Sequence, residues 1–594
     1  MISELSPQIH YLVGMSQPET HLFEVTLHIV NYPSAVLDLK MPVWTPGSYL
    51  VREYERHLQD FAAFADHKPL SWHKVSKNHW QVEKGDSSEV TIHYRVFANE
   101  LTVRTNHLDA THGYFNGAAL FFRIPGCESL PIYIRVIPAN PQWQITTGLP
   151  IFAETKNTFV AADFDTLVDC PFEIGFHQLY NFEVLGKPHE LAVWGKGNFQ
   201  PQQMIADCQK IIEVESQMFG GLPYDRYVFL LHLLQQGFGG LEHKNSCSLI
   251  YQRFGFQNLD KYEPFLQLVA HEFFHLWNVK RIRPLGLEVF DYDQENYTPS
   301  LWFCEGTTSY YDLIIPLRAG IYNTKAYLNY LSKEITRYLM TPGRKVQPLA
   351  ESSFDAWIKL YRPDANSGNS QISYYIKGEM VSLLLDLLIR VHHGNQRSLD
   401  DVMRQMWEEF GKDEVGYTPE ELEGVIESVA GMDLRDFFQR YLHGLDDLPF
   451  NQYLQPFGLQ LVEEKNEEPY LGVRINTENG REIIKFVEAG SPAQFAGIDA
   501  GDELLAIDSI RVGNQLNERL KDYRADDSIQ VTVFHQDELR TYSVTLAASI
   551  PGKYQLKVVE NPSFTQMENF AGWLGVSLSE SGCPGFQDYQ DENF

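Results

Sequence analysis

The sequence predicts an α+β chain of several domains: an antiparallel β part first, a mainly helical middle, and a β-rich module toward the C-terminus. Three observations predict this. Apolar and polar residues alternate with period two through the first ~165 residues, apolar residues recur at helical spacing from about residue 201, and strand patterns return after Asn451. At 594 residues the chain is too long for one core and divides into three or four domains at the usual ~100 to 200 residues each.

The domains are expected at 1–165, 166–450 and 455–550, with a C-terminal extension over 551–594. In the first, Phe23, Val25, Leu27 and Ile29 alternate with Glu24, Thr26 and His28, and Val90, Ile92, Tyr94 and Val96 alternate with Thr91, His93 and Arg95, the signature of an antiparallel sheet with one wet face. Residues 44–61, WTPGSYLVREYERHLQDF, crowd aromatics and arginines around a Pro46-Gly47 turn, which reads as a structural turn or as a surface facing another domain or a substrate. In the middle, MVSLLLDLLIRVHHG (380–394) is apolar almost all round and predicts a buried helix ended by glycine. Thr418-Pro419-Glu420-Glu421 forms a capping box ahead of Leu422. After residue 580 the composition turns to Gly, Asp and Gln, and fraying is expected.

Composition excludes some functions. A formal net charge of -30 argues against a nucleic-acid partner, because phosphate binding needs a basic face. The opening residues, MISELSPQIHYLVG, hold no basic stretch followed by an apolar run, and no window approaches the ~18 apolar residues of a membrane span, so a cytoplasmic protein without a membrane partner is expected. Cys127, Cys170, Cys208, Cys247, Cys304 and Cys583 are scattered singly, with no CxxC pair, and read as reduced core residues.

The string that carries chemistry is His271-Glu272-Phe273-Phe274-His275, set between Leu266, Leu268, Val269 and Ala270 and Leu276 and Trp277. On a helix, residues i and i+4 share a face, so two imidazoles can bind one Zn²⁺ at ~2.0–2.1 Å each while Glu272 reaches the water in the open coordination position. Catalytic zinc wants three protein ligands, and Glu305 in LWFCEGTTSYYD, opening a helical pattern after an apolar run, is the third candidate. These residues predict a zinc-dependent metallopeptidase with one ion per chain. Asp312, two turns beyond Glu305, either orients a ligand histidine or is a solvated helix carboxylate. Lys280, Arg281 and Arg283 follow the histidines, where cations offset a helix dipole and form salt bridges, the favoured reading, or pair with a substrate carboxylate.

The chain resembles the zinc peptidases that use two histidines and a glutamate, and in particular the glycyl aminopeptidase family, related to aminopeptidase N, whose catalytic domain precedes a PDZ domain. WTPGSYLVREYERHL, VDCPFEIG, GGLEH (239–243), HEFFHLWNVKRIRP, WFCEG and YYIKGEM carry the resemblance in order along nearly the whole chain. It implies a thermolysin-like catalytic domain in which Glu242 grips the substrate's α-ammonium and the backbone of Gly239 and Gly240 lines the substrate's edge. A carboxylate held there fixes how far the scissile bond lies from the peptide's start. His243 stands where the wider group has asparagine. Tyr375, in Tyr375-Ile376-Lys377-Gly378, matches the tyrosine that stabilises the oxyanion, with Tyr374 beside it as the residue it could be confused with. The interval from His275 to Glu305 is longer than in the best-known members of the wider group, which implies an insertion that shapes the cleft.

Tyr470-Leu471-Gly472-Val473, followed by GSPAQFAGIDAGDELLAID, resembles a bacterial-type PDZ domain, whose loop binds a peptide's terminal carboxylate while the peptide adds as a strand. Ser491-Pro492 is expected to cap a short helix there. The resemblance implies an aminopeptidase for peptides that begin with small residues such as glycine or alanine, and a C-terminal peptide as PDZ ligand. The alternatives are an endopeptidase with the same zinc chemistry and a PDZ scaffold whose peptidase domain is inactive; the presence of every zinc and proton-transfer residue argues against the second.

Overall fold

The computed structural model describes residues 6–152, 155–464, 468–548 and 552–578. They fall into two compact units, residues 1–297 with 406–417, and residues 298–405 with 418–594.

In the first unit the alternation found in the sequence builds a seven-stranded sheet around Gln8–Gly14, Leu22–Val30 and Glu89–Phe97, antiparallel except where Gln8–Gly14 runs parallel to Ile132–Ile137. Phe23, Leu27, Ile92 and Tyr94 enter one core with Trp80 from a three-stranded sheet and Phe121 and Phe122 from a loop. A four-stranded sheet of Gln144–Thr147, Phe172–Gly175, His112–Phe115 and His107–Leu108 carries the β part about ten residues past the expected boundary at 165.

The middle of the chain is mainly helical, as expected, and opens with a sheet that the helical spacing does not announce. Gln178–Val184, Lys187–Trp194, Tyr227–Leu234, Ser246–Gln252 and Phe238–Glu242 form, in that spatial order, a five-stranded sheet. The two interior contacts of Tyr227–Leu234 are parallel. Seven of the eight residues of YVFLLHLL are buried, so the strand has no polar face and no period of two; a continuous apolar run of this kind cannot be told from a buried helix by pattern. Helices Pro201–Phe219 and Leu259–Phe274 pack against each other and on this sheet. Phe238–Glu242 lies at its edge.

The second unit is built on helix Tyr374–His393, whose central residues from Lys377 to Leu387 are all buried and whose end is capped by Gly394 in the left-handed region (φ 56°). The Thr418 capping box forms as expected. The PDZ module is a separate antiparallel sheet of Val473–Glu478, Arg481–Val487, Glu503–Ile507, Ser528–His535 and Glu538–Thr545 with its own core, and Ser491 caps helix Pro492–Ala496. It is tied to the helical part through Asn369, whose side chain donates to the Val487 carbonyl at 3.0 Å and accepts from the Ala489 N–H at 2.8 Å. The extension after the module returns to the helices: Lys553–Val558 pairs with Leu459–Glu464, and in helix Phe564–Leu574 the Gly572 carbonyl accepts from Arg390 at 3.0 Å. The stretch expected to fray, and Cys583, lie outside the described residues. The other five cysteines are buried and free, and no described helix is long and apolar enough to cross a membrane.

Lys377 gives this unit a pH signature. It is fully buried, its Nζ finds no hydrogen-bond partner among the described residues, and burial pushes its ammonium down to about 8, against weak support from Asp447 and Asp446. In the unfolded chain the same group titrates near ~10.4. The unfolded state therefore binds more protons between these values, and the cost of burying the charge, full below about 8, is relieved as pH rises toward ~10.4. Lys377→Met is expected to stabilise the protein by about 3 kcal/mol at pH 7 and by little at pH 10.5, as read from urea denaturation at both pH values.

Candidate active site

Helix Leu259–Phe274 starts at an Asn258 cap, and its apolar stripe of Phe265, Leu266, Val269 and Phe273 faces inward. That orientation brings His271 and His275, one turn apart at the helix's last turn, together with ring centroids 4.6 Å apart and nearly perpendicular. His275 is buried, and its Nδ1 donates to the Asn278 carbonyl at 2.8 Å. A carbonyl can only accept, so the proton sits on Nδ1 and Nε2 keeps its lone pair, the tautomer a metal ligand requires. Two imidazoles with a nearby carboxylate suit zinc by donor chemistry. Behind the helix, Glu215 on Pro201–Phe219 is fully buried; burial pushes its carboxyl well above the usual range while His271 pulls the other way. Sequence reading passed over it, although a lone glutamate among Ile211, Ile212 and Met218 on an apolar face was a visible signal.

Glu272, Glu242 and His275, all buried, lie with their ligand atoms within 4.8 Å of one another. Glu242 is not on a surface turn: it is 4% exposed, at the end of the edge strand Phe238–Glu242. Two glycines make the cluster possible. A Cβ on Gly240 would stand 2.2 Å from Glu272 Oε1, so the strand crosses directly over that carboxylate. A Cβ on Gly47, in the left-handed region at φ 83°, would stand 2.5 and 2.7 Å from the two Glu242 oxygens. The Pro46-Gly47 turn is thus a wall of the site. The inserted segment braces it: Trp44 Nε1 donates to the Asp291 carbonyl at 2.8 Å, and the Val43 N–H to the Tyr292 carbonyl at 2.9 Å.

His243, the departure from asparagine, is buried with Nδ1 3.3 Å from Asp169 Oδ1. Asp169, from VDCPFEIG, also meets Lys280 Nζ at 2.6 Å and accepts from the Lys244 N–H at 2.7 Å. Lys280, His243 and the hydrogen bond outweigh burial and hold its carboxyl far below the usual range. This one aspartate joins the loop after Glu242 to the segment after the histidine helix. The cations there serve structure, as the salt-bridge reading expects: Arg283 pairs with Glu414 at 3.2 Å, and Arg281 donates to the Leu276 and Pro223 carbonyls at 2.7 and 3.0 Å.

In the second unit Glu305 is buried within a π-helical turn, Trp302–Thr307, that runs into helix Thr308–Arg318. A Cβ on Gly306 would stand 2.5 Å from the Gly378 Cα, so two glycines clamp the Glu305 turn against helix Tyr374–His393. The first residues of that helix separate the two tyrosines: Tyr374 is fully buried, whereas Tyr375 is only partly covered, with its hydroxyl 3.3 Å from that of Tyr361. Asp312 is half-buried, and its charge helps, after burial, to raise the Glu379 carboxyl well above the usual range. In the PDZ module the 470–473 loop is anchored by mutual backbone hydrogen bonds between Tyr470 and Ala547, and Gly472, at φ 87°, lies so close to Ser491 that a Cβ would fall 2.1 Å from the serine's own.

Three family models match the chain: the Peptidase M61 N-terminal domain at residues 10–176, M61 glycyl aminopeptidase at 264–381, and a PDZ domain at 469–546. Among solved structures, an aminopeptidase N family protein from Idiomarina loihiensis is 31% identical, with 96% of this chain and 100% of that chain covered and a TM-score of 0.90. An M1 zinc metallopeptidase from Deinococcus radiodurans is 12% identical over 75% of this chain and 94% of that one, with a TM-score of 0.48. No curated protein sequence matches.

Proposed function

The chain belongs to the M61 glycyl aminopeptidase family, and from that premise we propose that it removes small N-terminal residues, glycine or alanine first, from peptides, using one zinc ion held by His271, His275 and Glu305. The observation that carries this reading is the buried cluster of Glu242, Glu272 and His275 beneath the Gly239-Gly240 edge strand. It sets a carboxylate for the substrate's ammonium beside a carboxylate for the water's proton.

Lewis acidity toward the scissile carbonyl and the attacking water is what a bound zinc supplies. The chain's own residues do the rest. Glu242 pairs with the α-ammonium, and the extended peptide adds along the edge strand, so the first peptide bond is the one presented. Glu272 takes the water's proton on a carboxylate oxygen and returns it to the leaving amine. The Tyr375 hydroxyl donates to the developing oxyanion. The Gly47 wall next to Glu242 favours a small first residue. Five buried free cysteines fit a reducing, cytoplasmic setting, and the 470–473 loop is suited to a peptide's terminal carboxylate.

The experiment is hydrolysis of matched Gly- and Ala-peptides, free and N-acetylated, by zinc-loaded protein. Acetylation is expected to abolish cleavage. Equal cleavage of blocked peptides would make the enzyme an endopeptidase, and absence of zinc-dependent cleavage would move its function to the PDZ groove.

A further inference from the structure

A second set of metal-ligating side chains lies in the first unit, apart from the histidine helix. His112 opens strand His112–Phe115, Glu173 sits on the paired strand Phe172–Gly175, and His232 comes from Tyr227–Leu234 in the five-stranded sheet. Their ligand atoms lie within 4.8 Å of one another, and all three are at most 1% exposed.

Such burial demands an accounting of every polar atom. His232 Nε2 meets Glu173 Oε2 at 2.8 Å. Both ring nitrogens of His112, Nδ1 of His232 and Oε1 of Glu173 have no hydrogen-bond partner among the described residues; Asp109 Oδ1 stands 3.8 Å from His112 Nδ1, at ion-pair distance but beyond hydrogen-bond reach. His177 reaches the same carboxylate, its Nδ1 3.8 Å from Glu173 Oε1, while its Nε2 is 2.8 Å from the Thr146 hydroxyl, a bond that fixes the ring. The His112 ring is held from its other side by the Trp194 indole, stacked at 3.7 Å between centroids. A hydrogen-bonded network alone would leave several wholly buried donors and acceptors unmet at a cost of ~1–3 kcal/mol each. A buried carboxylate, moreover, stays ionised only beside a cation. Imidazoles and one carboxylate from three strands, their rings oriented by a hydroxyl and an indole, answer both demands with a divalent transition metal, and a closed four-ligand set is the form structural zinc takes.

We propose that His112, Glu173 and His232, with His177 as the nearest fourth donor, form a second, structural zinc site that fastens the N-terminal β domain to the sheet bearing Gly240 and Glu242. It is independent of the catalytic reading, since none of its residues belongs to that site.

The test is zinc content by plasma mass spectrometry after zinc loading and desalting. The unaltered protein is expected to retain two ions per chain, the His271→Ala/His275→Ala protein one, and that protein carrying Glu173→Gln as well, none. Loaded with Co²⁺ instead, the His271→Ala/His275→Ala protein should show tetrahedral d–d absorption and a Tm several degrees above its metal-free form. One ion in the unaltered protein with none in the double variant, or a double variant with neither the cobalt band nor the Tm rise, would leave a hydrogen-bonded histidine and glutamate network and overturn the proposal. Should Glu173→Gln impair folding, the cobalt and Tm measurements decide the question with the cluster intact.

Discussion

Glu272→Gln is expected to lower kcat by about 10²- to 10⁴-fold, the range a positioned general base supplies, while zinc content stays unchanged. Glutamine keeps the size of the side chain, so the loss isolates basicity from packing. Glu272 is 5% exposed, in the cluster with Glu242 and His275, where displacement by a few tenths of an ångström alters the proton transfer. That sensitivity gives a second arm. An alanine at Gly240 would bring its Cβ to 2.2 Å from Glu272 Oε1, a contact that forces the carboxylate aside. Gly240→Ala is therefore expected to reproduce much of the kcat loss with the base still present. Steady-state kinetics on a free Gly-peptide with parallel zinc analysis reads both; a Gly240→Ala enzyme of normal kcat would show that the base acts from another position, and an active Glu272→Gln enzyme that another group takes the proton.

What the sequence revealed of this site, and what it hid, follows from how local each feature is. His271, Glu272 and His275 were legible because one helical turn places all three, and the turn is written in the spacing. Glu242 could be assigned only through the family resemblance, since a glutamate so close to two glycines reads equally as a turn; its burial depends on pairing with a strand, Ser246–Gln252, that is buried on both faces and so carries no period of two. The same loss of period hid the five-stranded sheet. Gly47 was visible as a turn, but its contact with Glu242 joins residues almost two hundred positions apart, and no local pattern encodes that. His112, Glu173 and His232 were invisible for the same reason: each is a single polar residue in a strand, and only the packing of two sheets brings them together. The π-helical turn at Glu305 was equally unreadable, because Trp302–Thr307 has the composition of an ordinary helix start.

The second large effect concerns the anchor. Removing one partner of a buried ion pair costs about 3–5 kcal/mol, so Glu242→Ala is expected to reduce kcat/KM on free peptides by roughly 10²- to 10³-fold or more. Acetylated peptides carry no ammonium and have nothing to lose, so the preference for free over blocked peptides should collapse toward unity in this variant. That collapse is the diagnostic result, because a mere packing defect would lower both rates together. Gly47→Ala should act on the same term by a different route. Its Cβ would intrude to 2.5 and 2.7 Å from the Glu242 oxygens, and φ 83° is costly for alanine, so the carboxylate must move or the turn must open. A rise in KM for free peptides, larger for Ala- than for Gly-peptides, is expected if the turn opens less than the carboxylate moves; an unchanged KM would remove Gly47 from the substrate's surroundings. A Glu242→Ala enzyme that still rejected acetylated peptides would place the ammonium's partner elsewhere, and the buried Glu242 would then be explained by its contacts with the Pro46-Gly47 turn alone.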